Sequence, residues 1–180
     1  MNKSTLLKEL FTNLSTTGAV TFSSKALVKK MLSFADFKGA KLIVELGGGD
    51  GSITQGIVER MDADAVLLVF EISQNFCTNL EKVFPQDNVH VICDSAENID
   101  QYLDGKKADF IFSSLPLSLI PKSNRHQIYK KSKESVSDSG KFIQICYSYA
   151  LKFQFANHFS EIKTSFTLKN FPPAFIMVCN

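Results

Sequence analysis

Apolar residues along this chain fall into short runs rich in β-branched and aromatic side chains, each followed by a stretch in which apolar positions recur every three or four residues. Runs near 41–46, 66–71, 89–93, 108–114 and 141–147 predict strands, and the periodic stretches predict helices over 51–61, 73–84, 96–103 and 122–136. Ser73 stands where the second of these helices needs an N-cap, and Pro85 closes it. After Tyr147 the rhythm changes. A helical stretch near 149–158 leads to two late segments, Glu161 to Lys169 and Ala174 to Cys179, joined by the turn Asn170-Phe171-Pro172-Pro173. Alternating βα units with such an ending predict an α/β fold: a doubly wound, mostly parallel sheet of seven strands closed by an antiparallel C-terminal hairpin. The ligand of such a fold belongs at the carboxyl ends of the first strands.

The chain has 180 residues, which suits one domain over 1–180, with an N-terminal helical segment over 1–36 and the α/β core over 37–180. At 44% hydrophobic and 21% charged the composition excludes a disordered chain. No apolar run approaches the roughly 20 residues of a membrane span. Lys8 and Glu9 interrupt the early leucines, so no secretory signal is visible and a cytoplasmic protein is expected. The net charge of +2 is too small to argue for a nucleic-acid surface. Cys77, Cys93, Cys146 and Cys179 are widely spaced and predict buried thiols, while His90, His126 and His158 show no metal-ligand spacing, so no metal is expected.

The candidate chemistry centres on Val44-Glu45-Leu46-Gly47-Gly48-Gly49-Asp50-Gly51, where an apolar strand runs into an acid and a turn that is nearly all glycine. Glycines at 47, 49 and 51 permit positive φ and let a ligand approach the backbone, and the amides opening the next helix are expected to face the same crevice. The spacing does not fit the dinucleotide fingerprint, whose third glycine would fall at Ser52 or Thr54. Nor does it fit a phosphate loop, since no lysine lies between Lys41 and Lys82. What fits is acid-x-Gly-x-Gly-x-Gly after a first strand, which resembles motif I of the class I S-adenosylmethionine (SAM) methyltransferases.

Later acids fall in step with that reading. Glu71, with Ile72 beside it, closes the second strand about 20 residues beyond the loop, where a carboxylate can accept from both ribose hydroxyls of an adenosine. Taken alone, it would be a solvated strand end. Asp94 and Ser95 follow the third strand, Asp94 as an acceptor for the adenine amino group or as an N-cap. Glu45 either orients the glycine turn or reaches the methionine ammonium through water, unless it is a surface acid. A helix from Ser23 to Phe34 carries Lys25, Lys29 and Lys30. The Ser23 and Ser24 hydroxyls at its start either hold the methionine carboxylate or cap the helix.

The fourth strand ends in Ser113-Ser114-Leu115-Pro116-Leu117, a rigid turn that can aim carbonyls and a hydroxyl at the methyl donor. Enzymes that methylate a base amine place an aromatic last in this turn, to stack on the extruded base, and an amide where Ser113 stands. Leu117 and Ser113 therefore argue against a nucleic-acid acceptor.

From about Ser15 to the C-terminus the chain resembles the bacterial phospholipid N-methyltransferases of the soluble, PmtA-like type. The resemblance rests on Thr17-Gly18-Ala19-Val20-Thr21-Phe22-Ser23-Ser24-Lys25-Ala26-Leu27, the glycine loop, the Ser113–Leu117 turn, Phe142-Ile143-Gln144-Ile145-Cys146-Tyr147 and Asn170-Phe171-Pro172-Pro173-Ala174. That family usually has proline at Phe22 and glycine at Ser114, which puts the acceptor in more doubt than the cofactor. It is related to the rRNA adenine dimethylases. The resemblance implies a Rossmann-like class I methyltransferase fold, SAM as cofactor, and direct transfer to an amine of a phosphatidylethanolamine-type headgroup or another small amine. Catalytic roles then fall to Ser113, Leu115 and Tyr147. Leu6, Leu7, Leu10, Phe11 and Leu14 share one helical face, which either packs on the domain or meets the inner face of a membrane. An rRNA adenine or small-molecule N-methyltransferase, and a SAM-binding protein without catalysis, are the alternatives.

Overall fold

The computed structural model describes residues 23–180. The apolar face at Leu6–Leu14 and the Thr17–Phe22 part of the family resemblance lie outside the described residues. Seven strands, β1 (Leu42–Leu46), β2 (Val66–Phe70), β3 (Val89–Ile92), β4 (Ala108–Ser113), β5 (Val136–Cys146), β6 (Ile162–Thr167) and β7 (Ala174–Cys179), form one sheet in the order β3-β2-β1-β4-β5-β7-β6. β1 to β5 run parallel, and β7 lies antiparallel between β5 and β6. The order reverses at β1 and β4, the place where a parallel sheet opens a crevice at its carboxyl edge.

Both faces of the sheet are covered, which is why its strands read as continuous apolar runs rather than alternations. On one face Ile43, Leu67, Phe112 and Ile143 pack against α1 (Lys25–Leu32), α2 (Ser52–Val58) and α3 (Gln74–Val83) through Leu27, Met31, Ile57 and Leu80. On the other, Val44, Phe70, Ile111 and Phe142 meet a 3₁₀ segment (Ala96–Tyr102), α4 (Lys122–Ser135) and α5 (Lys152–Phe155) through Ile99, Ile128, Tyr129 and Phe155. Among the described residues no helix is long and apolar enough to cross a membrane.

Some details differ from the sequence reading. β5 begins at Val136, well before 141, because Val136 already pairs with Ala108 of β4 and the turn-like Ser137-Asp138-Ser139-Gly140 forms a bulge before the pairing resumes at Lys141. A Cβ at Gly140 would stand 2.7 Å from the Asp109 carbonyl oxygen, so only glycine allows that approach. The helix expected over 96–103 is 3₁₀. Ser73 occupies the N-cap position of α3 without a side-chain capping bond, and its amide donates to Glu71. Cys93 is exposed, unlike the buried Cys77, Cys146 and Cys179.

Two buried polar ties lock the layers. Asn170, in the hairpin turn, accepts from the Ser24 amide at 2.9 Å and donates to the Pro172 carbonyl at 2.8 Å, fastening the start of α1 to the β6–β7 connection. Glu45, fully buried on β1, accepts from the Thr54 hydroxyl of α2 at 2.7 Å, while its Oε1 meets no partner among the described residues. Burial pushes the Glu45 carboxyl up to about 8. The Thr54 hydrogen bond opposes that rise, and the Glu71 and Asp50 charges add to it.

Replacing Asn170 with Ala removes both hydrogen bonds and leaves the half-buried Ser24 amide and the exposed Pro172 carbonyl to water, so a loss of about 0.5–1.5 kcal/mol is expected in denaturant unfolding; an unchanged midpoint would contradict the tie. Glu45 holds its proton more tightly folded than unfolded. Its contribution to stability is therefore full below the ordinary value of 4.5 and is lost as pH rises through about 8. Glu45→Gln should flatten that fall, and parallel stability–pH profiles for the two proteins would rule it out.

Candidate functional site

A crevice opens at the carboxyl edge of β1, β2, β3 and β4. Five of the residues expected to hold a cofactor line it, Gly47, Glu71, Ile72, Asp94 and Ser95, together with Leu115, which was expected in a catalytic role. Its organising group is the Glu71 carboxylate, which is buried at the end of β2. One oxygen accepts from the Gly49 amide at 2.9 Å, and the other accepts from the Ile72 and Ser73 amides, each at 2.8 Å. The acid thus ties the glycine loop after β1 to the turn after β2. A carboxylate offers about four acceptor directions, and three are used, so one remains for a ribose hydroxyl rather than the two expected.

The glycine loop turns its amides inward. Gly47 and Gly48 donate to the Phe70 carbonyl at 2.8 and 3.1 Å, Gly51 donates to Gly48, and the Ser52 amide is taken by Asp50. Gly47, Gly49 and Gly51 have φ of +87°, +50° and +81°. The loop therefore offers a ligand close approach rather than a cradle of donors, and of the amides opening α2, expected to face the crevice, that of Ser52 is taken by Asp50. At Gly47 a Cβ would stand 3.2 Å from both the Leu115 side chain and the Ser114 hydroxyl, narrowing the mouth. Gly48 is required for packing, because a Cβ there would lie 2.6 Å from Val69.

Asp94 is committed locally. Its carboxylate accepts from the Ser95 amide, from the Asn98 side chain through both oxygens, and from the Tyr102 hydroxyl at 2.8 Å. Ser95 caps the 3₁₀ segment by accepting from the Glu97 amide. The acid with capacity facing the crevice is Glu97, which lines it and whose Oε1 accepts from the buried Asn124 of α4 at 2.8 Å. Sequence reasoning missed this pair, together with Ile120 and Ile128 on the apolar wall. The four-residue spacing of Asp94, Asn98 and Tyr102 was the visible sign that Asp94 had partners of its own.

The β4 turn is rigid. The Ser114 hydroxyl donates to the Gly47 carbonyl at 2.8 Å, which binds the turn to the glycine loop. The Leu115 carbonyl accepts from the Leu117 amide at 2.8 Å and from Gln144 Nε2 at 3.1 Å, so it is not free to meet an acceptor substrate. Ser113 is fully buried opposite Gln144 in the β4–β5 register, and its hydroxyl lies beneath the turn, 3.5 Å from the Leu115 amide. Leu117 packs into the core, and Tyr147 is exposed just past the end of β5.

Other candidates sit outside the crevice lining. Glu45 lies behind the loop, bonded to α2, and its raised proton affinity makes it a poor partner for an ammonium group at neutral pH. Gly49 and Gly51 shape the loop without lining the crevice. Ser24 is the N-cap of α1: its hydroxyl accepts from the Leu27 amide and donates its single proton to the Lys169 carbonyl, leaving none for a carboxylate. Ser23 precedes the cap and is not among the lining residues.

An adenosine fits this arrangement: a glycine mouth a side chain would narrow, apolar walls at Ile72, Leu115, Ile120 and Ile128, and acids at Glu71 and Glu97. No family model matches the chain. It is 28% identical over 162 residues to the ornithine lipid N-methyltransferase of Singulisphaera acidiphila, covering 87% of this chain and 84% of that protein. The fold matches the precorrin-6y C5,15-methyltransferase of Geobacter metallireducens with a TM-score of 0.72 at 11% identity, covering 89% of this chain and 90% of that one. It also matches Aeropyrum pernix fibrillarin, solved with natively bound SAM, with a TM-score of 0.62 at 14% identity, covering 78% and 66% of the respective chains. The strand order and these likenesses give the chain the Rossmann-like fold of the class I SAM-dependent methyltransferases, and the glycine motif with the likeness to a SAM-dependent N-methyltransferase supports SAM as its cofactor and methyl transfer as its activity.

Proposed function

We propose that the chain methylates the amine of a lipid headgroup. The observation that carries the acceptor is the likeness to a lipid N-methyltransferase across 87% of the chain, so that the shared stretch includes the turn facing the acceptor as well as the cofactor crevice. The structure adds a second support. Leu117 is sunk in the core, and no aromatic ring closes the β4 turn to receive a flipped base.

In this reading Gly47 and its neighbours bring the backbone against the methionine end, and Ile72 and Leu115 clasp the adenine. Glu71 accepts from one ribose hydroxyl with its remaining direction, and Glu97, held by Asn124, accepts from the adenine amino group in place of Asp94. SAM supplies a methyl group on a sulfonium that is already activated, so the protein's task is alignment and exclusion of water. Leu115 forms the apolar wall beside which an amine sheds its proton more readily, because burial disfavours the ammonium form. Tyr147, exposed just past the end of β5, is assigned the relay of that proton. Ser113, sealed below, instead supports the turn.

Two measurements test this reading. Glu71→Ala should weaken S-adenosylhomocysteine binding by roughly 1.5–3 kcal/mol in calorimetry, the range for bonds to a charged group, and unchanged affinity would remove Glu71 from the site. With labelled SAM, amine-bearing lipid in vesicles should take up label while total RNA and free small amines do not. Labelling of RNA alone would overturn the lipid acceptor.

A further inference from the structure

The hairpin that ends the sheet carries an apolar tip with no role in the crevice. Phe171 is 89% exposed and Leu168 is 75% exposed, and Phe153, on the connector from β5, is 71% exposed. Phe166 and Tyr149, also exposed, pack their rings against Phe175 at 4.8 and 5.5 Å, so the tip rises from a fixed aromatic base. Residues this apolar do not stay in water at a loop tip without a reason.

The charge around the tip is one-sided. From Tyr147 to the C-terminus the only acid is Glu161, against Lys152, Lys163 and Lys169; from Ser23 to Ala35 there is no acid, against Lys25, Lys29 and Lys30. The structure brings these two stretches together. Lys30 Nζ donates to the Phe166 carbonyl at 2.6 Å, and Ser24 bonds to Lys169 and Asn170. Glu161 and Lys163, paired at 3.1 Å, lie at the end of β6 away from the tip, so the charge near it is that of Lys152, Lys169 and the α1 lysines. Since Phe175 pairs with Cys146 at the end of β5, the tip lies at the carboxyl edge of the sheet, the edge that opens the crevice.

We infer that the β6–β7 tip, with Phe153 and the lysines of α1 and the hairpin, is a docking surface for an anionic lipid bilayer. Apolar side chains ringed by lysines match an interface where acyl chains begin beneath negative headgroups. Seated there, the crevice opens along the membrane surface, where a lipid amine would reach it. This placement rests on the lipid reading for its purpose, but its test does not.

The test is sedimentation of the full chain with vesicles of phosphatidylcholine containing roughly a quarter phosphatidylglycerol. Leu168→Ser combined with Phe171→Ser should weaken partitioning roughly tenfold or more. Lys152→Gln combined with Lys169→Gln should do the same on these vesicles and little on phosphatidylcholine alone. All four side chains stand outside the core, and S-adenosylhomocysteine binding by each variant checks that it is folded. Binding unchanged in both variants would overturn the inference and move membrane contact elsewhere, as to the Leu6–Leu14 face. Absence of vesicle binding by the unmodified chain, with dimers in light scattering that the tip substitutions abolish, would also overturn it and assign the tip to a second copy. If S-adenosylhomocysteine fails to bind the unmodified chain while vesicles do, the docking surface stands and the methyltransferase reading of the crevice falls.

Discussion

One carboxylate sets the geometry on which the crevice depends. Glu71 accepts three backbone amides from two different loops, so the turn after β1 and the turn after β2 are held in one arrangement. Bonds from amides to an ionised acceptor are stronger than neutral ones, and burial at the strand end strengthens them further. The Ser114 hydroxyl then fastens the β4 turn to the same glycine loop from the other side. Three loops are thereby fixed to one another by hydrogen bonds within the protein, which is the pre-organisation a methyl donor needs if transfer is mainly a matter of alignment.

Satisfying the loop internally has a consequence for what it can bind. A phosphate site gains affinity from amides that point outward, whereas here the amides of Gly47, Gly48, Gly49 and Gly51 are all taken by protein oxygens. What the loop offers is nearness. The same economy holds at the far side of the sheet, where Asn170 joins α1 to the hairpin and the apolar tip beyond it is exposed among the described residues. The crevice and the tip share one edge of the sheet, so cofactor, acceptor and membrane surface can meet there without a change of fold.

Strand order and the glycine loop were legible in the sequence because both faces of the sheet are covered and the runs are unbroken. The C-terminal hairpin was legible from its Asn-Phe-Pro-Pro turn. The early start of β5 was not, since Ser137–Gly140 has the composition of a turn and stays with the sheet only as a bulge between two pairings with β4, which is distant in sequence. Site residues divided along the same line. Gly47, Glu71 and Leu115 follow strand ends and were found from spacing. Glu97 depends on Asn124, far along the chain, and the second role of Ser24 depends on Lys169; such contacts have no local sequence signal. Asp94 follows β3 and lines the crevice, and its local partners Asn98 and Tyr102, though close by in sequence, were passed over.

A crystal structure of the chain with S-adenosylhomocysteine tests the central claim most directly. The account predicts the adenine between Ile72 and Leu115 with its amino group at Glu97, a ribose hydroxyl on Glu71, and the bonds from Glu71 to the Gly49, Ile72 and Ser73 amides intact. A ligand bound elsewhere, or one that enters only after Glu71 releases those amides, would contradict it.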